Sequence, residues 1–309
     1  MNTYLGIDIG GTAVKLGLVS ENGEVLLRQE ASVSFDNYQT PILETVRKAA
    51  ARMLAASREA GYQPVGAGVS ATGQIDSGQG IVAGTCGSLP SWPGAPIRAA
   101  LEKDLNLPVT VVNDANCMIL GEVWQGAAKG YTDVVGITIG TGIGGGILTN
   151  GKLLEGSRGL GGEIGHLRTH TIDGTICTCG AKGCWERYAS TTALVRKAKQ
   201  VSSQIKNGRD IFCKVQDGDS ALQNVLNSWI VEIAEGLAGL IHIFNPQLIL
   251  IGGGVSAQQE LLIDPLSKQV KARVMPAFLE GLTIRAAELQ NDAGLVGAVY
   301  YFRQSHSIV

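Results

Sequence analysis

The chain has 309 residues, 45% of them hydrophobic and 17% charged, which is enough for about two domains with sizeable cores. Lys and Arg number 25 against 27 Asp and Glu, and the formal net charge of −2 gives no electrostatic case for a nucleic-acid or membrane partner. No apolar run approaches a membrane span, and the start MNTYLGIDIG has neither the basic flank nor the apolar core of a signal peptide, so a cytoplasmic, reducing setting is expected.

The 42 glycines exceed the ordinary usage of about 7%, and they are clustered. Clustering suggests backbone loops that come close to a ligand. Tyr4–Ile9 reads as a buried strand and Val14–Val19 as its hairpin partner, with Asp8-Ile-Gly-Gly-Thr12 between them. Gly10 and Gly11 let backbone N–H groups face an anion, Thr12 can add a hydroxyl, and Asp8 can hold a hydrated Mg²⁺. An ordinary glycine hairpin explains this stretch equally well. Asn22-Gly23 turns the chain into a third strand at Glu24–Gln29.

Thr40-Pro41 is predicted to open a helix with Thr40 as N-cap; Ile42, Val46, Ala49 and Met53 form its apolar face and Gly61 ends it. Val65–Ser70 is a short strand, and the turn Ala71-Thr72-Gly73-Gln74 after it can touch a ligand. In the loop Gly84–Trp92, Trp92 can either cover a ligand face or sit in a core. Leu107–Val112 is an apolar strand ending in Asn113-Asp114, followed by a helix through Cys117–Trp124. Open α/β sheets place ligands at such strand ends. A carboxylate just ahead of a helix is also an N-cap, and spacing alone favours that reading of Asp114.

Asp133–Ile139 runs into a second glycine turn, Gly140-Thr-Gly-Ile-Gly-Gly-Gly146, and on into a strand through Ile147 and Leu148. This repeats the strand–turn–strand unit of residues 4–19. One such turn is weak evidence for phosphate binding. Two of them in two halves of a chain are stronger, because a duplicated fold can set both around one nucleotide. Neither turn has the Lys-Ser/Thr ending of a Walker loop, and neither opens a helix as a dinucleotide fingerprint must.

Residues 159–186 read GLGGEIGHLRTHTIDGTICTCGAKGCWE. They hold Cys177, Cys179 and Cys184, three of the six cysteines, and His166, one of four histidines. Three thiolates and an imidazole are the ligand set of a closed structural zinc site. Free thiols or a disulfide are the alternatives, but buried free cysteines usually sit in strands or helices, and this run of Thr, Gly, Lys and Ala has little else to bury. Glu163 and Glu186 are not needed by such a site, and a metal that folds the loop would fix both carboxylates. Beyond it, Thr191–Gln200 and Ala221–Phe244 are helical, the second a core helix broken by Asn245-Pro246. Leu248–Ile251 is a strand ending in Gly252-Gly-Gly-Val-Ser256, a third glycine turn on which an adenine ring can lie flat. Helices near Gln259–Val274 and Ala293–Tyr300 flank a last strand at Thr283–Ala287.

DIGGT at 8–12, VNDAN at 112–116, IGTGIGGG at 139–146, GGEIGH at 161–166, CTCGAKGCWE at 177–186, IGGG at 251–254 and DAGLVGA at 292–298 together carry a specific likeness. Through them the chain resembles, nearly end to end, the ROK family of bacterial sugar kinases within the actin-like, hexokinase-like ATPase superfamily. The resemblance implies an α/β fold of two lobes, duplicated ribonuclease-H-like domains with mixed sheets, and a zinc-binding loop. The lobes would be residues 1–113, joined by a C-terminal helix at 291–309, and residues 114–290, with the zinc loop at 159–186. The reaction implied is transfer of the γ-phosphoryl group of ATP to the 6-hydroxyl of a hexose. Glucose comes first, with N-acetylmannosamine, N-acetylglucosamine, fructose, allose and mannose open.

The resemblance also assigns roles. Asp114 is the catalytic base, and Gly73, Ser88, Asn113, Asp114, Glu163, His166 and Glu186 contact the sugar. Asp8, Gly10, Gly11, Thr12, Lys15, Gly140, Thr141, Gly142, Gly144, Gly253 and Gly254 hold ATP and Mg²⁺. His166, Cys177, Cys179 and Cys184 hold Zn²⁺, so His166 offers one ring nitrogen to the metal and the other to the sugar. Family members are often homodimers or homotetramers. Many carry Asn where this chain has Ser88 and Pro where it has Thr72, which bears on the sugar's identity. A sugar-responsive repressor of the same family would need a helix-turn-helix ahead of the first strand, where only Met1–Thr3 stand.

Overall fold

Short, largely buried apolar runs build two five-stranded sheets whose strands follow the same order. The computed structural model describes residues 1–85 and 89–307. Its elements are β1 (Thr3–Ile9), β2 (Ala13–Ser20), β3 (Val25–Ser32), α1 (Ile42–Glu59), β4 (Pro64–Ala71), β5 (Gln74–Asp76), β6 (Ile81–Gly84), α2 (Ile97–Leu105), β7 (Val109–Asn113) and α3 (Asp114–Gln125). There follow β8 (Val134–Ile139), β9 (Ile143–Thr149), β10 (Lys152–Leu153), α4 (Glu186–Ala189), α5 (Thr191–Val201), α6 (Gly208–Gln216), α7 (Ser220–Phe244), β11 (Leu248–Gly252), α8 (Asp264–Lys271), β12 (Thr283–Ala286) and α9 (Ala293–Ser305). The first sheet runs β3-β2-β1-β4-β7 and the second β10-β9-β8-β11-β12. In each, an antiparallel hairpin leads and parallel strands complete the order, so the fold is a duplication with mixed sheets. Among the described residues no helix is long and apolar enough to cross a membrane.

The chain divides into two compact units. The first gathers Met1–Lys129, Glu155–Gly161 and the chain from Glu288 on; the second is Gly130–Leu154 with Gly162–Ala287. In the first unit the two faces of β1 do different work. Leu5, Ile7 and Ile9 pack into the core shared with Val46 and Met53 of α1 and Leu101 of α2. Successive side chains of a strand point to opposite faces, so Tyr4, Gly6 and Asp8 turn to the other side, which α9 covers. There Tyr4 meets Phe302, and a Cβ at Gly6 would fall 2.9 Å from the carbonyl oxygen of Leu295. On the neighbouring β4, a Cβ at Gly68 would overlap the Ala298 backbone. A Cβ at Gly297 would overlap the carbonyl of Cys117 in α3. Helix α9 therefore lies at backbone distance from both the sheet and α3.

This packing places α3 in the first unit, whereas residue 114 is expected from the sequence to begin the second. The chain instead leaves the first unit after Lys129, returns briefly for Glu155–Gly161, and rejoins it at Glu288. Glu122, fully buried near the end of α3, holds both of these ends. Its carboxylate accepts hydrogen bonds from the amides of Ala127 (2.8 Å), Glu288 (2.8 Å) and Leu289 (2.7 Å). Thr40 is not the cap of α1: its hydroxyl donates to Asp36 at 2.7 Å, and Pro41 takes the cap position without a side-chain bond.

The second unit wraps its sheet with α5 to α8 around α7, whose Leu226, Trp229, Ile233, Leu237 and Ile241 are buried in one core with Ile137 and Ile249. Asn245 ends α7 in the left-handed conformation at φ 44°.

A methyl group at Gly68 has nowhere to go, because its neighbour is main chain rather than a flexible side chain. Gly68→Ala is expected to destabilise the protein by about 1–3 kcal/mol, read as a fall in Tm; an unchanged Tm would contradict the backbone contact with α9.

Candidate functional site

In the first unit the polar residues gather at the end of the face that α9 covers. Asp8 pairs with Ser70 across the parallel register of β1 and β4, and the Ser70 hydroxyl donates to its carboxylate at 2.6 Å. A Cβ at Gly294, in the first turn of α9, would stand 2.7 Å from the Asp8 carboxyl carbon, so only glycine leaves room for it. Burial pushes the Asp8 carboxyl above its usual range, while Ser70 and the charge of Lys15 oppose the rise. Lys15 lies opposite Asp8 in the hairpin and donates to Asn291 at 3.0 Å. A single carboxylate fixed by a hydroxyl can hold a hard, hydrated cation such as Mg²⁺ together with the phosphates of a nucleotide, and the neighbouring lysine suits the phosphates themselves.

The Gly10–Thr12 turn has its carbonyls taken up from outside. The Tyr38 hydroxyl donates to Gly11 O at 2.8 Å, and the amide of Val33 donates to Thr12 O at 2.9 Å. Ser32 and Ser34 add hydroxyl bonds to Thr12 O, each at 3.4 Å. The Gly11 and Thr12 amides are then without a protein acceptor among the described residues, as an anion-binding turn requires. Tyr38 holds this bond from the left-handed region, at φ 63°. No periodicity or motif marks Tyr38, so sequence reasoning misses it.

At the end of β7, the N-cap of α3 is Asn113 and not Asp114. Asn113 Oδ1 accepts from the amides of Ala115 at 2.9 Å and Asn116 at 3.4 Å, and its Nδ2 donates to Gly73 O at 2.9 Å. Asp114 is the first helical residue, with Oδ1 2.9 Å from the Ala115 amide. Gly73 turns at φ 102°, and the fully buried Trp92 donates from its indole to Thr72 O at 2.9 Å. Trp92 is thus a core residue that braces the 71–74 turn. Ser88 lies outside the described residues.

In the second unit the β8–β9 turn is closed by the Gly140 amide donating to Gly142 O at 3.0 Å, and Gly140 O accepts from the Thr191 amide at 2.9 Å. Gly253 follows β11 at φ 91° against the Ile139 main chain, which excludes any side chain. Gly140, Thr141 and Gly254 share a cavity of about 750 Å³ with Thr191, Asn207 and Gln258. Its far wall is α6, absent from the sequence reading, although Asn207-Gly-Arg-Asp210 forms the capping box that starts it.

Glu163, His166 and Glu186 also belong to this unit. A short 3-10 turn at Ile164–His166 rests on β9, and a Cβ at Gly165 would overlap the carbonyl of Ile143. The amide of Trp185 donates to Leu167 O at 2.7 Å, which returns the cysteine loop to His166. The ligand atoms of His166, Cys177, Cys179 and Cys184 all lie within 4.8 Å of one another. Cys179 and Cys184 sulphurs stand 3.6 Å apart, and Cys177 Sγ is 3.7 Å from His166 Nδ1. A tetrahedron with Zn–S bonds of about 2.3 Å has edges of about 3.8 Å, so the four residues fit zinc. Burial pushes the Cys177 thiol up and the Cys184 thiol up to about 12, whereas the Ala181 amide draws Cys179 down. A cation would relieve that resistance to ionisation.

The other ring nitrogen of His166, Nε2, stands 3.8 Å from Glu163. Burial raises the Glu163 carboxyl, with His166 opposing and Glu186 adding to the rise. Glu186 Oε1 is 3.0 Å from Cys177 Sγ.

Two sheets of one topology with a glycine turn in the leading hairpin of each give the actin-like, hexokinase-like α/β fold, and a His-Cys₃ cluster that fits zinc is added to it. The chain matches the ROK family model over residues 4–305. It is 34% identical to the glucokinase of Thermotoga maritima over 316 residues, 97% of each chain. Among solved structures it is similar to a ROK family glucokinase from Streptomyces griseus, in complex with glucose and AMPPNP, at TM-score 0.83 and 33% identity, covering 98% of this chain and 100% of that one. It is similar also to the ROK hexokinase from Thermus thermophilus, at TM-score 0.81 and 30% identity over 98% and 99% of the two chains. The chain belongs to the ROK family.

Elemental analysis of the purified protein is expected to find about one zinc per chain, and Cys184→Ser to lower that content severalfold. A zinc-free protein with Cys177 and Cys179 freely reactive in the native state would remove the metal centre.

Proposed function

We propose that the protein is an ATP-dependent hexose kinase that transfers the γ-phosphoryl group to the 6-hydroxyl of its sugar, with glucose as the preferred substrate. Full-length similarity to glucokinases supports the class of reaction. The observation that carries the site assignment is the capping of α3 by Asn113. Asn113 holds the cap position, so the Asp114 carboxylate, whose Oδ1 also accepts from the Ala115 amide at 2.9 Å, is not required as the cap, and we assign it the role of base for the attacking hydroxyl.

Phosphoryl transfer leaves little covalent chemistry to the protein, so catalysis comes from positioning and from neutralising charge. The Gly11 and Thr12 amides and the Gly140–Gly142 turn grip the phosphates, and the cavity bounded by Gly254 and α6 receives the base. Asp8 and Lys15 face the charged end of the donor, with Ser70 fixing the carboxylate. Mg²⁺ held at Asp8 supplies neutralisation of the phosphate oxygens. Glu163, His166 and Glu186 read sugar hydroxyls as acceptors and donors, and Asn113 keeps Asp114 at the strand end. Zinc at His166, Cys177, Cys179 and Cys184 supplies the fixed loop on which the sugar-reading groups stand. Buried polar contacts to a hydroxyl-rich ligand reject analogues that cannot pair with them.

We also infer a homodimer or homotetramer working in the cytoplasm, in line with family resemblance and with a thiolate metal centre suited to a reducing compartment.

Asp114→Asn is expected to lower kcat by roughly 10²–10⁴-fold while glucose still binds by calorimetry. Retention of more than a few per cent of wild-type kcat would take the base role from Asp114. In a coupled ADP-release assay over hexoses and N-acetylhexosamines, glucose is expected to show the highest kcat/KM. Glucose falling about a hundredfold below another sugar would overturn the substrate assignment and leave the kinase assignment intact.

A further inference from the structure

Gly142 stands in the β8–β9 turn with an ordinary backbone conformation, so nothing in its φ requires glycine there. A Cβ at this position meets a single group within 4 Å, the carboxylate of Glu186, with Oε2 at 2.5 Å. The other carboxylate oxygen, Oε1, rests 3.0 Å from Cys177 Sγ of the metal loop. One side chain thus fills the gap between the metal loop and the glycine turn.

The main chain carrying Glu186 is held independently. Trp185 is fully buried, and its indole donates to Glu232 O of α7 at 2.7 Å. Four residues after Glu186, Ser190 O accepts from the indole of the buried Trp229 at 3.0 Å, and the Thr191 amide reaches Gly140 O at 2.9 Å. With both ends of the segment anchored on α7, the carboxylate is the part left to move. Cys177 stops it on one side and Gly142 on the other. With its proton the sulphur donates to the carboxylate; as a metal-bound thiolate it repels the carboxylate, and in either state Cys177 limits how far Glu186 can retreat from Gly142.

We infer that Glu186 is a positioning residue for the nucleotide turn as well as a reader of the sugar. Wedged against Gly142, it couples occupancy of the sugar subsite to the phosphate-gripping turn. The inference rests on the kinase reading for the identity of the two ligands. A sugar hydroxyl that draws the carboxylate toward itself alters its contact with Gly142, and a turn that closes on phosphate presses back on the carboxylate. Coupling between two binding sites is reciprocal in free energy. The sugar's effect on nucleotide affinity therefore equals the nucleotide's effect on sugar affinity, and a substitution on either side of the contact is expected to reach the ligand of the other.

The test is calorimetry on the zinc-loaded full chain, with each ligand titrated alone. Glu186→Ala is expected to weaken binding of Mg²⁺-AMPPNP in the absence of sugar by a factor of about five or more. Glu186→Gln, which keeps the wedge, is expected to restore nucleotide binding to within about twofold of wild type while glucose binding stays impaired. Gly142→Ala, which pushes on the carboxylate from the turn, is expected to weaken glucose binding in the absence of nucleotide by a similar factor.

Zinc content and Tm are recorded for each variant. If Glu186→Ala loses its zinc or its fold, Gly142→Ala decides alone. Nucleotide binding unchanged in Glu186→Ala, or glucose binding unchanged in a folded, zinc-loaded Gly142→Ala, would overturn the coupling and leave the kinase assignment standing. Failure of the wild type to bind AMPPNP at all would overturn the kinase reading, and the inference with it.

Discussion

Main-chain atoms packed against main-chain atoms set the geometry of this protein. On the side of the first sheet that carries Asp8 and Ser70, Gly6 and Gly68 leave a bare strip of backbone, and α9 lies directly on it. The period of a strand does the rest: residues two apart share a face, so the strip that admits the helix ends in the carboxylate and the hydroxyl that fixes it. The second unit uses the same device at Gly165, which seats the turn bearing His166 on β9. A polar site built on backbone contacts of this kind cannot drift as side chains change rotamer. It is also intolerant of a single methyl group at the contact.

A second regularity is that carbonyl acceptors are paired off so that neighbouring donors can be aimed. A turn that must offer amides to an anion needs its carbonyls satisfied elsewhere. Tyr38 and Val33 do this for Gly11 and Thr12, and Thr191 does it for Gly140. Asn113 spends its oxygen on the amides of α3 and its nitrogen on Gly73, and so holds the cap position while the neighbouring Asp114 becomes the first helical residue. Among these, Tyr38, Val33 and Thr191 carry no sequence motif, yet with Asn113 they fix where the turn amides and the Asp114 carboxylate stand.

Much of this was legible in the sequence because the signals are local. Short apolar runs marked the two hairpins, the clustering of glycines marked their turns, and one stretch of chain carried all four residues that fit zinc. What stayed hidden depends on partners far away in the chain. Nothing near Gly68 announces Ala298, and nothing near Gly142 announces Glu186. Thr40 has the residue type and place of a helix cap, but Asp36 takes its hydroxyl first. With Asn113 and Asp114 both able to cap α3, a one-residue difference decides which of them does, and helix boundaries read from sequence are not that sharp. The start of α6 did carry a readable capping box, and its place on the cavity wall came only with the fold.

The nesting of one unit inside the other has a consequence for synthesis on the ribosome. All five strands of the first sheet have been made once Asn113 emerges, but the helix that covers one of its faces begins about 180 residues later, at Ala293. At ~5–20 residues per second that interval lasts roughly 10–40 s. During it the whole of Gly130–Leu154 and Gly162–Ala287 is produced and is free to fold, so the unit that starts second can be finished first. The nascent sheet waits meanwhile with an uncovered, glycine-paved groove beside Tyr4, a surface suited to capture by a chaperone or by the wrong helix until the last few residues arrive.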